Sequence, residues 1–318
     1  MTRINKKSYK NVEGIELTND KISALVLPFS GGRIQSIRFL GKEYLMQKLG
    51  KDFIVPEYDT NYLDGELSGF DDMFPTITAC GYPGGVWDGV RLPDHGEVWA
   101  LAFSSKIVDS TLKLGVHGVR LPYLFEKQIS LGDSRIVIDY CARNLSPFPM
   151  KYIWAAHPSF ILEEGTSLQL PYAKSIMNAY GGCKYLGAFG EIHPWNVSND
   201  SRDLSLLSPE QRSCNKYYVW NELERNETII EYPNGDSITV SCDVEKVPYL
   251  GVWVDEMGFG DGSMACIVPE PCTGAFDSTA LADTFGKVAQ LPPNGEHTWR
   301  LCIEFLNVKT SEEKQLLQ

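Results

Sequence analysis

Between residues 119 and 131 the chain alternates with a period of two. Val119, Leu121, Tyr123, Phe125, Ile129 and Leu131 share one parity, and Arg120, Glu126, Gln128 and Ser130 share the other. Only an extended strand sends every second side chain to the same face, so this stretch predicts a long β-strand with one apolar and one wet side. Gly132-Asp133 turns the chain, and Ile136, Ile138 and Tyr140 then alternate with Arg135 and Asp139, which completes a hairpin. The same pattern returns later. Residues 228–232 and 237–240 flank Pro233-Asn234-Gly235-Asp236, a strong hairpin signal. Trp299, Leu301, Ile303 and Phe305 alternate with Arg300 and Glu304. Helical patterns are few: a capping residue precedes helix formers after Ser208-Pro209 and after Asp277-Ser278, and residues 311–318 suit one terminal helical turn. Many strands and few helices predict an all-β fold, a large and mostly antiparallel β-sandwich with a few short helices. The 318 residues contain no repeat and no linker, so a single domain over 1–318 is expected.

Charge and cysteine usage narrow the partners. The chain has 41 acidic and 29 basic residues, a net charge of −12, which argues against nucleic acid or an anionic membrane and leaves small neutral molecules. No run of about 18 apolar residues is present, so no transmembrane helix is expected. Residues 1–10 are basic without an apolar core, so no secretory signal is expected and a cytoplasmic location follows. The eight cysteines include no CxxC pair, which predicts reduced thiols and no structural zinc. The sequons at Asn144, Asn196 and Asn226 are then chance matches.

Three residues stand out chemically. His95, in Pro93-Asp94-His95-Gly96, is a titratable ring beside a glycine that allows close backbone approach. His157 follows a strand-like segment and is stiffened by Pro158. Glu270 ends the apolar run 264–268 and is held between Pro269 and Pro271, where partial burial would raise its pKa toward that of a useful base. Asp71-Asp72, set among aromatic residues, are candidates for gripping hydroxyl groups. Of the remaining histidines, His297 reads as structural, and His117 and His193 as exposed loop residues.

These segments, taken in order, resemble the aldose 1-epimerase, or galactose mutarotase-like, family. Pro93-Asp94-His95-Gly96 is similar to its first catalytic-histidine loop. Asn144-Leu145-Ser146 with His157-Pro158-Ser159-Phe160 is similar to its asparagine and "His-Pro-x-Phe" segment. Ile267-Val268-Pro269-Glu270-Pro271 is similar to its glutamate segment, and Leu291-Pro292-Pro293-Asn294-Gly295-Glu296 to its closing turn. The resemblance implies the family's β-sandwich, sometimes called a supersandwich, and an isomerase of carbohydrate metabolism that exchanges sugar anomers. It implies Glu270 as general base, His157 as general acid and His95 as an assisting group, with Asp255 as the candidate for the family's substrate-binding aspartate. The family's sugar-binding arginine has no counterpart near Gly69-Phe70-Asp71-Asp72, which puts hexose preference in doubt and disfavours a phosphosugar.

Anomer exchange removes a proton from the C1 hydroxyl while the ring oxygen gains one, so one carboxylate and one imidazolium suffice, with no metal and no redox cofactor. Trp154 and Trp253, with Trp87 and Trp99, are candidates for stacking on the sugar. Three other classes compete: a non-catalytic sugar-binding protein on the same fold, a metal enzyme with a two-histidine, one-carboxylate site, and a lyase or hydrolase using Asp71 and Asp72 as paired acids.

Overall fold

A computed structural model describes residues 2–307; the suggested terminal turn at 311–318 lies outside them. Strand accounts for 48% of the described residues and helix for 6%, as the alternation predicts. Among the described residues, two large antiparallel sheets of thirteen and nine strands form the body.

The hairpin read from the sequence is the strands Tyr123–Leu131 and Arg135–Asn144, paired antiparallel with Ile129 opposite Ile138. Val119 precedes the strand and is exposed, because the chain is still in a loop there. The second hairpin is Asn226–Glu231 and Asp236–Cys242, turning at Gly235 with φ of +86°. The strand Glu296–Asn307 lies between Arg135–Asn144 and Asp236–Cys242. This smaller sheet buries Phe125, Ile138, Trp299 and Ile303, while Gln128, Arg300 and Glu304 face solvent. Two short helical turns appear where expected. Ser208 caps the 3₁₀ turn Pro209–Gln211, and Ser278 caps the helix Thr279–Thr284.

The larger sheet runs through the strands Arg33–Phe39, Phe70–Met73, Ala155–Pro158, Ala265–Cys272, Tyr249–Glu256 and Ser213–Val219, in that spatial order. One face supplies Ile34, Phe70, Ala156, Ile267, Val252 and Tyr217 to the core between the sheets. The other face is also largely shielded, so Phe70–Met73 and Ser213–Val219 are buried at every position although they carry Asp71, Asp72 and Lys216. That second face carries the cavity described next. No helix among the described residues is long and apolar enough to cross a membrane.

Candidate active site

Alternation across the larger sheet determines which residues reach the cavity. On Ala265–Cys272, Ile267 points into the core and Cys266, Val268 and Glu270 line the other face. Trp253 and Lys216 do the same on the neighbouring strands, with Trp253 opposite Val268 and Lys216 opposite Trp253. His157 sits on the same face, opposite Asp71. Together with His95 they line a cavity of about 210 Å³. The structure therefore gathers His95, His157 and Glu270, which are far apart in the chain, around one cleft.

His95 comes from a loop sewn to the segment that continues Phe70–Met73. Its N–H donates to the Ile77 carbonyl at 2.5 Å, and Glu97 N–H donates to the Phe74 carbonyl at 2.7 Å. Gly96 between them has φ of +73°, and a Cβ there would lie 2.2 Å from the Phe74 oxygen. Only glycine fits this crossing. Gly96→Ala is expected to cost about 2–4 kcal/mol, read as a lowered urea midpoint at unchanged slope. An unchanged midpoint would mean that the loop is not held this way.

The His95 ring stacks on Tyr62, with centroids 3.8 Å apart and planes 6° from parallel, and its Nδ1 meets Asp94 Oδ1 at 3.0 Å. Burial works against the Asp94 carboxylate, yet bonds from His95 and the Tyr62 backbone N–H hold it below its ordinary range. His157 lies edge-on to His95, with centroids 6.0 Å apart. Tyr62 links the two rings. Its hydroxyl donates to Asp71 Oδ2 at 3.1 Å and lies 3.3 Å from His157 Nδ1. Asp71 is paired in turn with Arg33 at 2.6 Å. With the hydroxyl proton given to Asp71, His157 Nδ1 is the donor to Tyr62 and Nε2 keeps the lone pair.

Burial, then the positive charges of His95, Lys216 and Arg33, push the His157 pKa well below the ordinary histidine value. Burial therefore disfavours the charged form of the His157 ring. Glu270 is nearly inaccessible and ion-paired with Lys216, which also lies 3.5 Å from Asp277. Burial raises the Glu270 pKa, and the Lys216 cation only partly opposes this. Burial opposes the Lys216 charge, but Asp277 and Glu270 outweigh it and raise its pKa. Lys216 therefore remains an ammonium, beside a carboxylate more basic than usual.

Several other expectations are corrected. Asp71 and Asp72 are neighbours on one strand, so they point to opposite faces and cannot grip one sugar together. Asp72 faces the core, where it accepts from Lys127 at 2.6 Å and from the Trp154 indole N–H at 3.0 Å. Asp71 lies beneath Tyr62 with 1% of its surface exposed. Trp154 is fully buried against Tyr140 and Trp299. Asp255 accepts from the backbone N–H groups of Gly258 and Phe259, closing the turn after its strand rather than lining the cavity. Trp87 and Trp99 pack against Phe148 and Tyr62. His193 is buried on the strand Ile192–Pro194, with Nε2 3.0 Å from the Leu186 carbonyl. Trp253 alone of the suggested tryptophans lines the cavity, between Tyr180 and Phe259.

Tyr62, Lys216, Lys127 and Arg33 were not singled out from the sequence. Two signals were available. Lys127 occupies the buried parity of its strand, and Lys216 interrupts the strand-like run Cys214 to Val219. A lysine on an inward parity implies a buried acid as its partner. Among the described residues no cluster of histidine, cysteine or acidic side chains is arranged to hold a metal ion.

No protein-family model matches the chain, and no curated protein matches it. Solved structures do. A galactose mutarotase-like protein from Lactobacillus casei is 17% identical, with a TM-score of 0.65, covering 92% of this chain and 100% of that one. One from Clostridium acetobutylicum is 12% identical, with a TM-score of 0.68, covering 96% and 99%. An aldose epimerase homologue from C. elegans is 12% identical, with a TM-score of 0.63, covering 97% and 100%. The fold of this chain is thus the galactose mutarotase-like β-sandwich.

Proposed function

We propose that the protein is an aldose 1-epimerase, interconverting the α and β anomers of a free sugar. The observation that carries this reading is the convergence of Glu270, His95 and His157 on one cavity of a galactose mutarotase-like sandwich. Glu270 takes the proton from the C1 hydroxyl. The C1–O1 bond becomes a carbonyl as the bond from C1 to the ring oxygen breaks, and the ring oxygen takes a proton from an imidazolium. Rotation about C1–C2 and the reverse steps close the ring on the other face.

We assign proton delivery to His95, whose Nδ1 lies 3.0 Å from Asp94 Oδ1, because burial disfavours the charged form of His157. Neutral His157 accepts a hydrogen bond from the sugar through Nε2, with Tyr62 fixing its tautomer. The histidine roles are thus the reverse of those implied by the resemblance.

Saturation-transfer NMR of anomer exchange across a panel of free aldoses tests the reading. At least one sugar should exchange far faster than in buffer. His95→Asn should slow that exchange by about 10²-fold or more, and His157→Asn should slow it less. If His157→Asn is the more damaging, the acid is His157. Saturable binding with no acceleration for any sugar would favour a sugar-binding protein on this fold instead.

A further inference from the structure

Two carboxylates of the cavity share one ammonium. Lys216 is ion-paired with Glu270, and its amine also lies 3.5 Å from Asp277 Oδ1. All three residues line the cavity. The sheet is built to let them approach. Tyr218 lies opposite Gly251, and Gly251 opposite Glu270. A Cβ at Gly251 would stand 3.2 Å from the Tyr218 ring and 3.6 Å from the Glu270 Cβ, so glycine leaves the floor open between the two side chains. Asp277 is held from both its backbone and its side chain. Its carbonyl accepts the Ile77 and Thr78 N–H groups at 3.0 and 2.6 Å, and the Ile77 carbonyl in turn accepts from His95. Its Oδ1 accepts the Tyr218 hydroxyl at 2.7 Å. Phe276, just before it, has φ of +73°, a strained conformation for any residue but glycine.

The role of Asp277 follows from what a proton transfer does to this trio. Before the transfer two negative charges flank one positive charge. When Glu270 takes the C1 proton its charge disappears. Lys216, with 6% of its side chain exposed, would then be a buried ammonium without a counter-charge were Asp277 absent. Asp277 supplies that charge in the protonated state and repels the Glu270 carboxylate before it. Both effects make Glu270 a stronger base. The other titratable groups facing the trio are Tyr218, Cys272, His95 and His157. Burial keeps the Tyr218 hydroxyl and the Cys272 thiol protonated and disfavours charge on His157, while a charge on His95 would oppose the effect of Asp277.

Resting on the reading above, we propose that Asp277 is a positioning residue for anomer exchange: acting through Lys216, it keeps Glu270 ready to accept the C1 proton. The test follows the Glu270 carboxyl by carbon-13 NMR in protein labelled at the glutamate δ-carbon, the signal being identified by its loss in Glu270→Gln. Asp277→Asn keeps the size of the side chain and an oxygen for the Tyr218 hydroxyl, and removes only the charge. Its Glu270 titration midpoint should fall by about one pH unit or more. Asp277→Glu keeps the charge and should stay within about half a pH unit of the native midpoint. In saturation-transfer NMR the kcat of Asp277→Asn should drop about 3- to 10-fold with KM nearly unchanged, and its acid limb should move to lower pH. An unchanged midpoint in Asp277→Asn would overturn the proposal. So would equal displacement in both variants, which would assign Asp277 to packing. If the midpoints move as expected but no sugar is exchanged, the epimerase reading fails and the coupling of Asp277 to Glu270 through Lys216 stands.

Discussion

Glu270→Gln is expected to slow anomer exchange by about 10²-fold or more, with sugar affinity changed by only a few-fold. Glutamine keeps the size of the side chain and an oxygen for Lys216, but it cannot take a proton from the C1 hydroxyl. The lost interaction exists mainly in the transition state, so the rate should suffer rather than binding. On the proposed mechanism the active form of Glu270 is the carboxylate, so activity should be present above its pKa and fall as pH drops through it. Burial raises that pKa, so this acid limb should lie above the ordinary glutamate range. The variant's residual rate should lack the limb. Exchange at the native rate in Glu270→Gln would remove Glu270 as the base.

Lys216→Met is expected to be the most destabilising of the site substitutions, by about 3–5 kcal/mol near neutral pH. The methionine leaves Glu270 buried with no counter-charge and strips Asp277 of one of its two partners, the other being the Tyr218 hydroxyl at 2.7 Å. Glu270 can escape by keeping a proton, which limits the loss at low pH. The sign follows from linkage. Without Lys216 the folded-state pKa of Glu270 climbs further above its unfolded value, so the folded protein binds more protons than the unfolded chain and loses stability as pH rises through that interval. The deficit against the native protein should therefore be larger at pH 8 than at pH 5 in urea unfolding. The acid limb of any remaining activity should also move to higher pH. A deficit independent of pH would show that Lys216 acts through packing alone.

The distribution of buried charge explains why some of the site was readable and some was not. Glu270 between two prolines and His95 before glycine carry local marks, because their backbone constraints are written in adjacent residues. Tyr62 carries none. It lies in a polar segment, and its importance comes from stacking on His95 and bridging Asp71 to His157. Asp71 and Asp72 illustrate the opposite error. They look like a pair in the chain, yet strand alternation sends one beneath Tyr62 and the other into the core toward Lys127.

The sequence by itself determined the all-β class, the two hairpins and the capped short helices, and it marked His95, His157 and Glu270, which line one cavity. Each of these rests on a period of two, a turn dipeptide or a neighbouring glycine or proline, which are local physical constraints. Only the tertiary structure decided the burial of His157 beside Tyr62, the partnership of Glu270 with Lys216, and the place of Trp253 in the cavity wall. Those depend on which strands of the larger sheet lie side by side and on how far water is excluded, and strand order and desolvation are properties of the assembled sandwich rather than of any stretch of chain.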